Sequence, residues 1–139
     1  MSDAAVRAGG CLCGKVRYTV PREMKTAAKC HCLNCQKSTG ASAMTAAVYA
    51  DGDVKVTGET RSYTYTSDGG RPVTNVFCPN CGSSVTMHSP ALEGLTLIRA
   101  GTLDDSTGLE PQFVVFNKRR PAWDADNPNI PHFPEMPPA

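Results

Sequence analysis

Hydrophobic and polar residues alternate with a period of two along much of this chain, which is the signature of strands with one buried face. Val16, Tyr18 and Val20 alternate with Arg17 and Thr19. The same signal returns in "MTAAVYA" (residues 44–50), in "VKV" after the turn "DGD" (51–53), and in "RSYTYT" (61–66). "SDGG" at 67–70 predicts a hairpin closing onto "PVTNVF" (72–77), because consecutive glycines accept the positive φ angles of tight turns. "SVTMH" (84–88), "LTLIRA" (95–100) and the apolar run "FVVF" (113–116) are further strand candidates. No segment sustains a 3.6-residue period, so helix is expected only as short turns, around Pro90 to Glu93 or after Cys35. Short strands separated by Gly and Asp turns predict an all-β protein of small antiparallel sheets.

Punctuation changes near the end of the chain. Residues 121–139 hold six of the eleven prolines, which excludes a helix or a central strand and predicts an extended tail. Trp123 and Phe133 predict that this tail packs on the body as far as Phe133, with disorder beyond. The 139 residues fit one domain, with a core over about 9–120 and the tail over 121–139.

Composition adds limits. Charged residues are 19% and hydrophobic residues 40% of the chain, with both signs of charge scattered. The formal charge of +1 counts cysteines as neutral. Seven thiolates and two divalent ions would take it to about −2, which disfavours a phosphate-tracking, nucleic-acid-binding surface. "MSDAAVRAGG" has no apolar run of signal-peptide length and no stretch approaches a membrane span, so a cytoplasmic setting without membrane contact is expected. In a reducing compartment, seven clustered cysteines point to metal or chemistry rather than disulfides.

"FCPNCGS" (77–83) places Cys78 and Cys81 two residues apart, so that both sulfurs can face one point about 2.3 Å away. Pro79 presets the turn, and Gly82 permits the left-handed residue that turns backbone N–H groups toward the sulfurs. The rival reading, a redox C-x-x-C pair, would open a helix in a βαβ setting, whereas these flanks read as strands. Such a knuckle supplies two ligands; Cys11 and Cys13 in "GGCLCGK" supply two more, and a closed four-cysteine site is structural in its chemistry.

Cys30, Cys32 and Cys35 in "CHCLNC" remain. Three protein ligands and one exchangeable position is the pattern of catalytic zinc. Three thiolates leave zinc a weak Lewis acid, which suits thiol chemistry: a substrate thiol entering the fourth position would be held as thiolate. Alternatives are an empty triplet, a disulfide between two of its members, or completion by a histidine. His31 lies between two ligands with its ring expected to point away, and His88 or His132 could reach the site only through the fold. In "QKSTGAS" (36–42), Lys37, Ser38 and Thr39 could contact a ligand or form a solvated turn.

Together, "GGCLCGKVRY", "CHCLNCQKSTGA", "FCPNCGS", "AGTLDD" (100–105) and "PAWDAD" with the Pro-rich end resemble the glutathione-dependent formaldehyde-activating enzyme family, which includes centromere protein V. The resemblance implies a β-tent fold around a structural zinc, with Cys11, Cys13, Cys78 and Cys81 as its ligands. It implies a second, weakly held catalytic zinc on Cys30, Cys32 and Cys35, hence two zinc ions per chain. The implied activity is that of a carbon–sulfur lyase resembling S-(hydroxymethyl)glutathione synthase, joining glutathione or a similar small thiol to formaldehyde or another small aldehyde. Gln36 departs from the arginine that many relatives carry after the third cysteine, which bears on which thiol is taken. Asp104 and Asp105 lie in a family motif and read as loop-ordering groups. The alternative function is a non-catalytic zinc module for protein interaction on the same fold.

Overall fold

A computed structural model describes residues 6–67, 69–125 and 127–137. Its strands in chain order are β1 (Val6–Gly10), β2 (Arg17–Pro21), β3 (Thr26–Cys30), β4 (Met44–Ala50), β5 (Lys55–Thr57), β6 (Arg61–Thr66), β7 (Pro72–Phe77), β8 (Ser84–His88), β9 (Leu95–Arg99) and β10 (Phe113–Val115). One α-helix, α1 (Leu33–Thr39), and short 3-10 turns, one of them at Pro90–Leu92, complete the described regular structure. The chain is therefore all-β in class; the turn at Pro90–Leu92 lies where the sequence puts it, and the helix expected after Cys35 starts two residues before it, at Leu33.

The strands form two sheets. A three-stranded antiparallel sheet has the order β1-β2-β5, and a seven-stranded sheet has the order β10-β3-β4-β9-β8-β7-β6. The larger sheet is mixed rather than wholly antiparallel, because β10 lies parallel to β3 with Val115 opposite Cys30. The predicted hairpin joins β6 to β7 with Thr64 opposite Thr74; Ser67 and Arg71 close it by a 2.8 Å backbone bond, and Gly70 takes φ 80°. Asp68 of that turn lies outside the described residues.

Two strands carry no clear pattern in sequence. β1 reads VRAGG and β3 reads TAAKC, both poor in β-branched and aromatic residues. Their pairing is imposed by neighbours, β1 by β2 and β3 by β4 and β10, so context overrides propensity.

Packing divides at the large sheet. Successive side chains of a strand face opposite ways, and β4 is buried at four consecutive positions from Ala46 to Tyr49 and also at Met44. Ala47 and Tyr49 join Val16, Tyr18, Val20, Cys11, Cys78 and Ile98 in one core. Met44, Ala46 and Val48 join Cys35, Val73, Met87 and Leu97 in another. The small sheet thus covers one face, and the loops and helix carrying the cysteine triplet lie on the other.

The tail packs partly as expected. Phe133 meets Phe113 edge-to-face at 6.2 Å between centroids. Its N–H donates to the Val114 carbonyl at 2.8 Å, and His132 bridges Val114 in parallel. Trp123 is a correction: it is 75% exposed and anchors nothing. Order also continues past Phe133, since the Phe116 N–H donates to the Glu135 carbonyl at 3.1 Å and Lys118 pairs with Glu135. Residues 138 and 139 of the tail lie outside the described residues.

The approach of β1 to the core depends on Gly9, where an added Cβ would overlap the Tyr18 hydroxyl and the Thr102 carbonyl. Gly9→Ala is expected to cost about 1–3 kcal/mol by overpacking. Thermal unfolding should show the lowered midpoint, with Gly52→Ala, which meets nothing within 4 Å, unchanged as the control.

Candidate metal centres

The first cluster is built by two turns far apart in sequence. Between β1 and β2, the Cys11 N–H donates to the Val16 carbonyl (3.0 Å), the Val16 N–H donates to Cys11 Sγ (3.2 Å), and Gly14 turns the chain at φ 84°. Between β7 and β8, Gly82 takes φ 81° and donates to the Cys78 carbonyl at 2.8 Å, while the Asn80 N–H points at Cys78 Sγ (3.4 Å). The Leu12 N–H donates to Ser83 Oγ at 3.1 Å and locks the two turns together.

This arrangement gathers the sulfurs of Cys11, Cys13, Cys78 and Cys81 within 4.8 Å of one another. Cys11 and Cys13 stand 3.6 Å apart, and Cys13 and Cys78 3.7 Å. A tetrahedron of sulfurs about 2.3 Å from a central zinc has edges of about 3.8 Å. Those two edges match the tetrahedron, and four sulfurs are a donor set suited to a soft divalent ion. Two of the four thiols, Cys81 and Cys11, are favoured as thiolates, whereas Cys78 is raised, with burial and the thiols of Cys11 and Cys81 opposing its ionisation. The Ser83 hydroxyl, 3.3 Å away, and then the backbone N–H groups of Ser83 and Cys13 bring Cys81 down to about 5. Burial opposes ionisation of Cys11, but the Val16 N–H and the thiols of Cys13 and Cys78 outweigh it and hold that group below its usual range.

The second cluster is local. Cys30 ends β3, opposite Met44 of β4 and Val115 of β10. Cys32 caps α1, its sulfur accepting from the Cys35 N–H at 3.2 Å, and Gly40 ends the helix at φ 72°. Cys35 is buried on the helix, while Cys30 and Cys32 are half-buried. The three sulfurs lie within 4.8 Å of one another, and the described residues add no His, Asp, Glu or fourth Cys to the group. All three are free thiols, with Cys32 and Cys35 hydrogen-bonded at 2.9 Å. That edge is shorter than the zinc tetrahedron requires, so the pair must part by about 1 Å to hold an ion.

Within the triplet the charge falls on Cys32. Hydrogen bonds from the Cys30 and Cys35 thiols bring it to about 3, whereas donating to Cys32 pushes Cys30 up to about 12. Cys35 is raised by its bonds to Cys30 and Cys32 and by burial.

The histidines stay outside. His31 is 1% exposed and donates from Nδ1 to the Ser42 carbonyl at 2.8 Å. Ser42 in turn donates to Asp124 (2.5 Å), which Lys29 approaches at 3.6 Å. His31 is thus a buried strut, with its ring turned from the sulfurs as expected. His88 neighbours Thr86 on β8, and His132 lies beside β10.

After Cys35, Lys37 is exposed, and the polar groups of Gln36, Ser38 and Thr39 bond to backbone carbonyls. Gln36 Nε2 donates to the carbonyls of His31 (2.8 Å) and Arg119 (2.9 Å), so it braces the cluster loop against the C-terminal segment. Thr39 and Ser38 donate to the Cys35 carbonyl at 2.7 and 3.3 Å, which is helix-end chemistry. Asp105 accepts from the Thr107 N–H (2.9 Å), and Asp104 pairs with Arg17, in keeping with loop-ordering roles.

One neighbour of the triplet was not singled out from the sequence. Arg99 ends β9 opposite Ala46 and is 6% exposed, on the side of the sheet that carries Leu97. The signal was its place in "LTLIR", where alternation aligns it with the half-buried Leu95 and the buried Leu97 rather than with solvent.

Two surface cavities, of about 300 and 230 Å³, are lined by Lys15, Arg61 and Asn80 and by Asp51, His88 and Thr96 among others; neither is lined by the triplet. No helix among the described residues is long and apolar enough to cross a membrane.

The fold and its two sulfur clusters define an all-β protein with two cysteine groups that could hold metal. Comparison with protein families matches residues 6–119 to the glutathione-dependent formaldehyde-activating enzymes, and the chain belongs to that family. Among solved structures, it is similar to a crystal structure of a Rhodobacter sphaeroides protein from structural genomics, with a TM-score of 0.57 and 20% identity. The match covers 90% of this chain and 98% of that one, and it supports the fold. No curated protein matches the chain significantly.

In protein stripped of metal, Cys32 is the nucleophile of the triplet at neutral pH, because its folded-state value is far below 7 while that of Cys30 is far above. Iodoacetamide at pH 7 should label Cys32 ahead of Cys30 and Cys35, as read by peptide mass mapping. Equal labelling of all three would contradict this charge distribution.

Proposed function

We propose that this protein is a zinc-dependent enzyme that joins a small thiol, glutathione or one like it, to formaldehyde or another small aldehyde. Cys11, Cys13, Cys78 and Cys81 hold a structural zinc, and Cys30, Cys32 and Cys35 hold a second with one position left open. The observation that carries this reading is the contrast between the clusters: four converging sulfurs in one, and three, two of them half-buried, in the other. Membership of the family supports the choice of thiol and aldehyde.

The reaction forms one S–C bond. The thiol sulfur adds to the carbonyl carbon, the C=O π bond becomes a C–O single bond, and the proton lost from sulfur ends on oxygen. Bound zinc would supply thiol acidification at neutral pH and a fixed point for the reacting sulfur. The chain's part is mainly proximity. Cys32, held as thiolate by its neighbours, is the one of the three that can bind metal without first losing a proton. Cys35 fixes the inner side from the helix, and Cys30 ties the set to β3. The braces from Gln36 and His31 keep the loop between them in one shape. Thiols already add to formaldehyde unaided, so the expected acceleration is modest.

Hemithioacetal formation from glutathione and formaldehyde, followed with and without protein, tests the activity. Wild-type protein should exceed the buffer rate, and Cys32→Ser should fall back to it while remaining folded. If wild-type protein fails to exceed the buffer with any common small thiol, the protein is a non-catalytic metal module.

Metal analysis should separate the two sites. Purified protein should hold two zinc ions per chain, Cys32→Ser should hold one, and Cys78→Ser should lose the structural ion together with most thermal stability. A wild-type count of one, unchanged by Cys32→Ser, would remove the second site.

A further inference from the structure

Arg99 is a buried cation that the chemistry above leaves unused. One of its terminal nitrogens donates to Asn75 Oδ1 at 2.8 Å, whereas its Nε and other terminal nitrogen are buried without an acceptor. None of the ion pairs among the described residues includes it. A buried arginine is ordinarily matched by a carboxylate, since an uncompensated charge in a protein interior is costly. The groups that do act on Arg99 are the Tyr65 phenol and the three sulfurs of the triplet. Burial pushes its guanidinium down, and Cys35, Tyr65, Cys32 and Cys30 offset that only in part. The sheet register accounts for the proximity: Cys30 pairs with Met44, and Arg99 pairs with Ala46, two residues further along the same face of β4.

We propose that Arg99 is a positioning residue of the three-cysteine cluster, its permanent positive charge offsetting the negative charge that builds up when a substrate thiolate joins the metal-loaded site. This rests on the open-site reading given above. Three thiolates around one divalent ion carry about −1, and a fourth sulfur takes the set to about −2. Beside an apolar core of Val48, Val73, Met87 and Leu97, a second negative charge needs a counter-charge, and Arg99 is the cation placed there. Asn75 fixes the guanidinium from β7, leaving its two free donors for the site.

The test uses the full chain loaded with Co²⁺ in both sites and titrated with 2-mercaptoethanol, a thiol with no carboxylate. Binding is read from the sulfur-to-cobalt charge-transfer and d–d bands. Wild-type protein should show a saturable spectral change. Arg99→Met should need at least about tenfold more thiol, and Arg99→Lys, which keeps the charge, should stay close to wild type. Replacing a buried charge by an apolar residue of similar size is commonly tolerated. The four-sulfur cobalt spectrum reports whether each variant is folded, and Arg99→Gln serves as the neutral variant should Arg99→Met lose that spectrum. Equal thiol affinity in wild type and the neutral variant overturns the proposal, as does an Arg99→Lys affinity as weak as that of Arg99→Met. A defect seen with glutathione but absent with 2-mercaptoethanol would assign Arg99 to a carboxylate and also overturn it. If wild-type protein shows no thiol-dependent change at all, the open-site reading itself falls, and the proposal with it.

Discussion

The central strands β4 and β9 are buried on both faces, and the arrangement of everything else follows from that. A strand in this position needs apolar cover on each side. On one side the small sheet supplies it through Val16, Tyr18 and Val20. On the other, Val73, Met87 and Leu97 pack with the helix residue Cys35. Ala46 and Ala47 at the centre of β4 are small enough to let both layers approach closely. The large sheet therefore acts as a partition, with Cys11 and Cys78 in the core of one side and Cys35 in the core of the other.

The clusters on the two sides differ in the loops they close. Cys13 and Cys78 are separated by 65 residues, so an ion held between them removes a large amount of freedom from the unfolded chain. Cys30, Cys32 and Cys35 lie within one strand end and the first turn of a helix, and linking them constrains little beyond their own loop. A site of the first kind is suited to holding a fold together. One of the second kind can exchange a ligand without placing the fold at risk.

What keeps the triplet in shape is instead a set of polar braces from distant parts of the chain. Gln36 reaches the Arg119 carbonyl, Ser42 reaches Asp124, and the segment around Phe133 is pinned to β10, which lies directly beside Cys30. Phe116, at φ 54°, turns the chain between β10 and the Arg119 carbonyl. Through Asp124 and Phe133 the Pro-rich tail is thus a supporting layer for the cluster loop, and Gln36 ties that loop to Arg119 just ahead of the tail.

Cysteine spacing and period-two alternation are local properties, and they were legible in residue order: both sulfur groups, the patterned strands and the helical turn after Cys35 lie where they were expected. The family resemblance carried by those motifs agrees with the match over residues 6–119. The rest depends on contacts between remote segments. β1 and β3 have too little intrinsic strand preference to be seen alone, and exist because β2, β4 and β10 satisfy their backbone groups. Aromatic content in the tail could not distinguish Phe133, which finds Phe113, from Trp123, which finds no cover. The same holds for Arg99 and Gln36. Residue type names their charge and hydrogen-bonding capacity, but only the sheet register and the returning C-terminal segment decide which partners those groups face.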